Sequence, residues 1–146
     1  MTDTALRRTS EGLCLLGVGI AGYLTYVHFA GLHPICEIGH GCETVQTSRY
    51  AKLLGTPVAL LGLITYILIL VSLRVRDERA LLSGYSLGLV AFGFSLYLTY
   101  RELFTIHAIC TWCVSSAIVF TLLGIVGTWR MLRLDLDPAT IAVASS

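Results

Sequence analysis

Cys110 and Cys113, in the stretch HAICTWCVSS, stand where a long apolar run begins. On a helical turn, two intervening residues bring both sulfurs within disulfide reach. The start of a helix also offers free N–H groups and the positive end of the dipole, which favour a thiolate. His107, three residues upstream, reads either as a solvated interfacial side chain or as a group that could add positive charge. A thiol of lowered pKa attacks and departs more readily in thiol–disulfide exchange. Because the run that follows suits lipid, a lipid-soluble two-electron acceptor could meet Cys113, the inner sulfur, without leaving the bilayer. A second pair, Cys36 and Cys42, sits in HPICEIGHGC, where Pro34, Gly39 and Gly41 argue for an irregular, mobile loop. If that pair reaches outward to a soluble protein and inward to Cys110, it is a shuttle. If it reaches neither, it is a loop staple.

Two other uses of four thiols compete with a relay. Structural disulfides suit an extracellular cysteine count, but a CxxC bond closes a very small loop and removes little unfolded-state entropy. Metal binding or transport would draw on the four cysteines with His33, His40 and His107. The apolar stretches, however, carry almost no polar path for an ion, and Arg101 and Glu102 read as rim residues. Cys14 lies inside an apolar stretch and reads as a small buried hydrophobe.

The elements that position these residues follow from composition. Of 146 residues, 55% are hydrophobic and 13% charged, about half the charge of an ordinary soluble domain. Four apolar stretches, at about residues 12–32, 57–73, 81–100 and 108–130, predict an all-α integral membrane protein. It is a four-transmembrane-helix bundle in a single domain over 1–134, with a tail at 135–146. The first stretch is too long, and lacks the small-residue cleavage site, for a removable signal peptide. A net charge of +1 gives no support to nucleic-acid binding.

Seven basic residues (Arg7, Arg8, Arg74, Arg76, Arg79, Arg130, Arg133) fall on one side of the stretches. Arg49, Lys52 and Arg101 fall on the other. Basic residues favour the cytoplasmic side. Both termini are therefore expected inside, and the 33–56 loop outside with the four cysteines. Within that loop, ETVQTSRYAKLL lacks Gly and Pro and reads as a short surface helix, broken by Gly55–Pro57 before the second span. Small residues recur within the spans, among them Gly17, Ala21, Gly22, Gly84, Gly88, Gly124 and Gly127, and predict close helix packing. YLTYVHF at 23–29 is echoed by YLTYRELF at 97–104, either as a half-repeat or as two interfacial tyrosine girdles.

In this order and topology, Cys36, Cys42, SRY at 48–50, GTPVALLG at 55–62 and CTWC at 110–113 resemble the vitamin K epoxide reductase family over nearly the whole chain. The resemblance implies a four-helix core around a quinone site, capped by the surface helix. It implies that the Cys36–Cys42 disulfide oxidises a partner's thiols, with Cys36 facing the partner. Cys42 would then attack Cys110, and Cys113 would face a quinone of the menaquinone, ubiquinone or phylloquinone type, with Ser48 and Tyr50 nearby. Bacterial members typically oxidise a thioredoxin-fold protein that inserts disulfides into secreted proteins. Many carry that domain fused; here a separate extracytoplasmic partner is expected, at a bacterial inner membrane. Animal members have a tyrosine four residues after the second CxxC cysteine, where this chain has Ala117. Plain quinone reduction is therefore expected rather than epoxide chemistry.

Overall fold

The computed structural model describes residues 3–32, 35, 49, 52–53, 55–75, 77–107 and 109–135. Each apolar stretch forms a helix: α1 (Asp3–Ala30), α2 (Val58–Arg74), α3 (Glu78–Arg101) and α4 (Thr111–Asp135). Ahead of α2, β1 (Lys52–Leu53) and β2 (Thr56–Pro57) pair antiparallel around Gly55, whose φ of 82° suits a residue without Cβ. The end of the expected surface helix is thus a hairpin strand, because the Gly55 turn folds the chain back on itself. Apart from Arg49, the rest of that expected helix, and the tail from 136, lie outside the described residues. Pro57 stands just before α2, where its missing N–H is no loss.

The fold is all-α and membrane-type. Thr4–Ala30, Glu78–Thr105 and Thr111–Arg133 are long and apolar enough to cross a bilayer. α2 has 17 residues, so it measures about 25 Å at 1.5 Å per residue, short of a ~30 Å hydrocarbon core.

Packing is close where side chains are small. A Cβ at Gly17 would enter the Tyr66 ring, and one at Gly84 would meet the Ser72 side chain. At Gly127 it would lie 3.0 Å from Tyr85. Lipid offers no hydrophobic drive between helices, so such fits and interhelical hydrogen bonds hold the bundle. The core is built by Cys14, Ile20, Ala21 and Leu24 of α1, Tyr66, Ile69 and Leu73 of α2, and Val119, Phe120 and Leu123 of α4. Large apolar side chains such as Leu16, Ile67, Val90 and Ile125 face outward, as a lipid-facing surface requires. Glu11 pairs with Arg7 at 3.4 Å and with Arg74 at 3.3 Å, which joins the start of α1 to the end of α2 and sets the two helices antiparallel.

Candidate active site

The CxxC pair is placed by the way α3 hands over to α4. After Arg101 the chain widens into a π-helical turn, Glu102–Ile106, and then reverses at His107, which adopts the left-handed conformation (φ 55°, ψ 32°). The His107 N–H closes this turn on the Glu102 carbonyl. Within the turn polarity is inverted: Glu102 is buried, while Leu103 and Phe104 are exposed. Cys110 stands one residue ahead of α4, and its carbonyl accepts from the Val114 N–H at 3.0 Å. Cys113 falls on the first turn, so the spacing does what the sequence implies.

The two sulfurs are unequal. Cys110 is fully buried and Cys113 only half-buried, and both are thiols. Cys110 is lowered to about 7. The chief cause is the side-chain hydrogen bond with Cys113, helped by the Cys113 and Trp112 backbone and opposed by burial and the Glu102 charge. The Cys110 N–H donates to Glu102 Oε2 at 3.4 Å, and the Glu102 carboxyl also hydrogen-bonds the Cys113 side chain.

A second set of contacts fixes the start of the segment after α1 against CTWC. Trp112 Nε1–H donates to the Ile35 carbonyl at 2.8 Å, and the Ile35 N–H donates to the Tyr23 hydroxyl at 3.2 Å. The Tyr23 and Trp112 rings lie 4.8 Å apart, centroid to centroid, tilted by 39°. The backbone of one residue, Ile35, is thereby held at its N–H by α1 and at its carbonyl by α4. Ile35 is the residue before Cys36 in the chain.

Deeper along α4, the Tyr66 hydroxyl meets Ser116 Oγ at 2.9 Å, and the Tyr66 ring stacks on Phe120 at 4.2 Å. Ser116 is one turn beyond Cys113. One turn beyond Cys113 along α4 there is thus an aromatic, apolar region that contains a hydroxyl pair. These surroundings suit an apolar ring carrying carbonyl oxygens.

Of the sequence-predicted residues, the structure brings Cys110 and Cys113 together; Cys36, Cys42, Ser48 and Tyr50 lie outside the described residues. Cys14 is buried in the core, in line with its expected packing role. Phe94 and Tyr97 stack on one another within α3, and Arg101 Nε donates to the Tyr97 hydroxyl at 3.1 Å. Glu102, Tyr23 and Trp112 are the contacts that residue types alone missed. The available signal for Glu102 was an acid eight residues before Cys110, at the end of an otherwise apolar run.

The model of the Vitamin K epoxide reductase family matches residues 10–128, from α1 into the last turns of α4, a stretch that includes Cys36, Cys42, Cys110 and Cys113. The chain belongs to this family, whose members are in general membrane thiol/quinone oxidoreductases.

Proposed function

We propose that this chain reoxidises an extracytoplasmic thioredoxin-fold protein and passes the electrons to a membrane quinone, so sustaining disulfide formation. α2 makes a fourth crossing, completed by the residues at its ends. The Arg7–Glu11–Arg74 cluster then lies on the cytoplasmic side with both termini, and CTWC lies on the opposite side, at a bacterial inner membrane. Residues 1–134 form the single membrane domain, with 135–146 as its tail.

The relay runs through two exchanges. The partner's dithiol reduces the Cys36–Cys42 disulfide and becomes a disulfide itself. The Cys42 thiolate then attacks Cys110 of the Cys110–Cys113 disulfide, which releases Cys113 as a thiolate. Cys36 next attacks Cys42, freeing Cys110 and restoring the Cys36–Cys42 bond. Two electrons now sit on the Cys110/Cys113 dithiol. The lowered Cys110 thiol makes it a good leaving group in this last exchange.

A quinone supplies the final acceptor of two electrons and two protons. Cys113 would face it, with Ser48 and Tyr50 beside it and the Tyr66–Ser116 hydroxyl pair one turn deeper. For a two-electron couple each ~30 mV is worth about 1.4 kcal/mol, so an acceptor well above the partner's potential makes the flow one-way.

The single observation that carries this reading is the hold on Ile35. Its carbonyl is bonded to the tryptophan of CTWC, so the chain entering the first pair is anchored on the second. To test the function, reduced thioredoxin-fold partner and ubiquinone are mixed with the wild type and with Cys113→Ala. Quinone reduction is expected to fall to background in the variant. An unimpaired rate, or stoichiometric zinc or copper retained on the purified four-thiol protein, would refute the relay in favour of metal handling.

A further inference from the structure

A buried carboxyl is costly to keep in an apolar bundle unless it is bonded. Glu102 is 4% exposed, on a turn whose Leu103 and Phe104 point outward. Its partners are the two cysteines: the Cys110 N–H at 3.4 Å and the Cys113 side chain. Its helical neighbour Arg101 is engaged by the Tyr97 hydroxyl and, at 3.5 Å, by Thr105 Oγ1. Of these two partners Cys110 offers its backbone N–H and Cys113 its thiol, so the carboxyl is bonded to one of the reacting thiols and to the backbone of the other.

We infer that Glu102 is a catalytic residue, the proton acceptor for Cys113 when the dithiol closes to a disulfide. The inference rests on the relay reading in taking this pair as redox-active. Closure must shed two protons and two electrons. The first proton leaves Cys110, whose thiolate is then held by the Cys113 S–H. The second, on Cys113, lies between that thiolate and the Glu102 carboxylate. Glu102 takes it as the S–S bond forms and the electron pair passes to the acceptor. It then returns the proton to the reduced acceptor or to water. A positioned acceptor of this kind avoids a free Cys113 thiolate beside a second negative charge.

The test uses diamide, an azo oxidant that takes up two electrons and two protons, so neither quinone nor partner is needed. Closure of the reduced full-length protein in detergent is timed across pH for the wild type and Glu102→Gln. The wild-type rate is expected to climb as Cys110 ionises near pH 7 and then level. The variant is expected to be about a hundredfold slower near neutrality, to keep rising about tenfold per pH unit, and to converge on the wild type in alkali. Curves that superimpose, or that stay parallel throughout, would overturn the assignment. A parallel loss is what a merely structural hydrogen bond would give.

Should the variant not fold, the oxidised-minus-reduced infrared spectrum of wild-type protein labelled at glutamate decides instead. A change in its carboxylic-acid C=O stretch is expected, and its absence overturns the assignment. A wild type that cannot reduce ubiquinone, yet keeps the Glu102-dependent closure, would defeat the relay and leave this inference standing.

Discussion

In the proposed relay, Trp112 and Tyr23 would act through the backbone of Ile35 rather than through a sulfur. Each spends its polar atom on Ile35, and their rings pack together. Each hydrogen bond is worth about 1 kcal/mol, or roughly a fivefold change in how often the loop start sits against CTWC. Trp112→Phe keeps the ring but loses the donor. Single-turnover exchange between the two cysteine pairs is expected to slow about fivefold, and Tyr23→Phe to do the same. The double variant should lose less than the product of the two, since both grip the backbone of one residue. Additive losses measured by rapid quench and peptide mapping would show that the grips are independent. The cysteines were legible as chemistry because thiols at that spacing have few other uses. Trp112 and Tyr23 were not, since an aromatic at a membrane interface is ordinarily an anchor and only the fold shows what its polar atom reaches.

At the scale of the helices, glycines set how closely backbones approach. Gly17 lies under the Tyr66 ring, whereas Gly19, two residues on, has no neighbour within 4 Å of its would-be Cβ. The same substitution should therefore have opposite signs at the two places. Gly17→Ala is expected to destabilise the bundle by about 1–3 kcal/mol through overpacking. Gly19→Ala is expected to stabilise it by about 0.5–1 kcal/mol by restricting the unfolded chain. Thermal unfolding in detergent checks both, and a lower Tm for Gly19→Ala would contradict this picture. The helices were legible in the sequence because charge-free runs of that length have one economical state in lipid. Helix ends were less so: α1 begins at Asp3 and α3 at Glu78, a turn or more before the apolar runs, because charged first turns still complete backbone hydrogen bonds. The Lys52–Leu53 strand escaped because pairing around Gly55 outweighs the helical spacing of the residues before it. YLTY of α1 and of α3 part company in the same way: Tyr26 and Tyr100 both face outward, but Tyr23 bonds Ile35 while Tyr97 bonds Arg101.

For the whole molecule, the arrangement separates two ends. One carries Arg7, Glu11 and Arg74; the other carries Cys110, Cys113, Glu102 and the anchored Ile35. The division was visible in the basic residues, which a membrane sorts by charge. The inward turn of Glu102 was not, because it depends on one widened turn and on the reversal at His107. On the proposed reading such a molecule is a conduit from aqueous thiols to a lipid-dissolved acceptor, and the decisive step of that proposal is the passage from Cys42 to Cys110. Cys36→Ala removes the sulfur that resolves that intermediate. With this variant reduced by the partner dithiol and then reoxidised, mass mapping of non-reduced peptides is expected to find Cys42 bonded to Cys110. Cys110 bonded only to Cys113, with Cys42 free under every condition, would contradict transfer between the pairs.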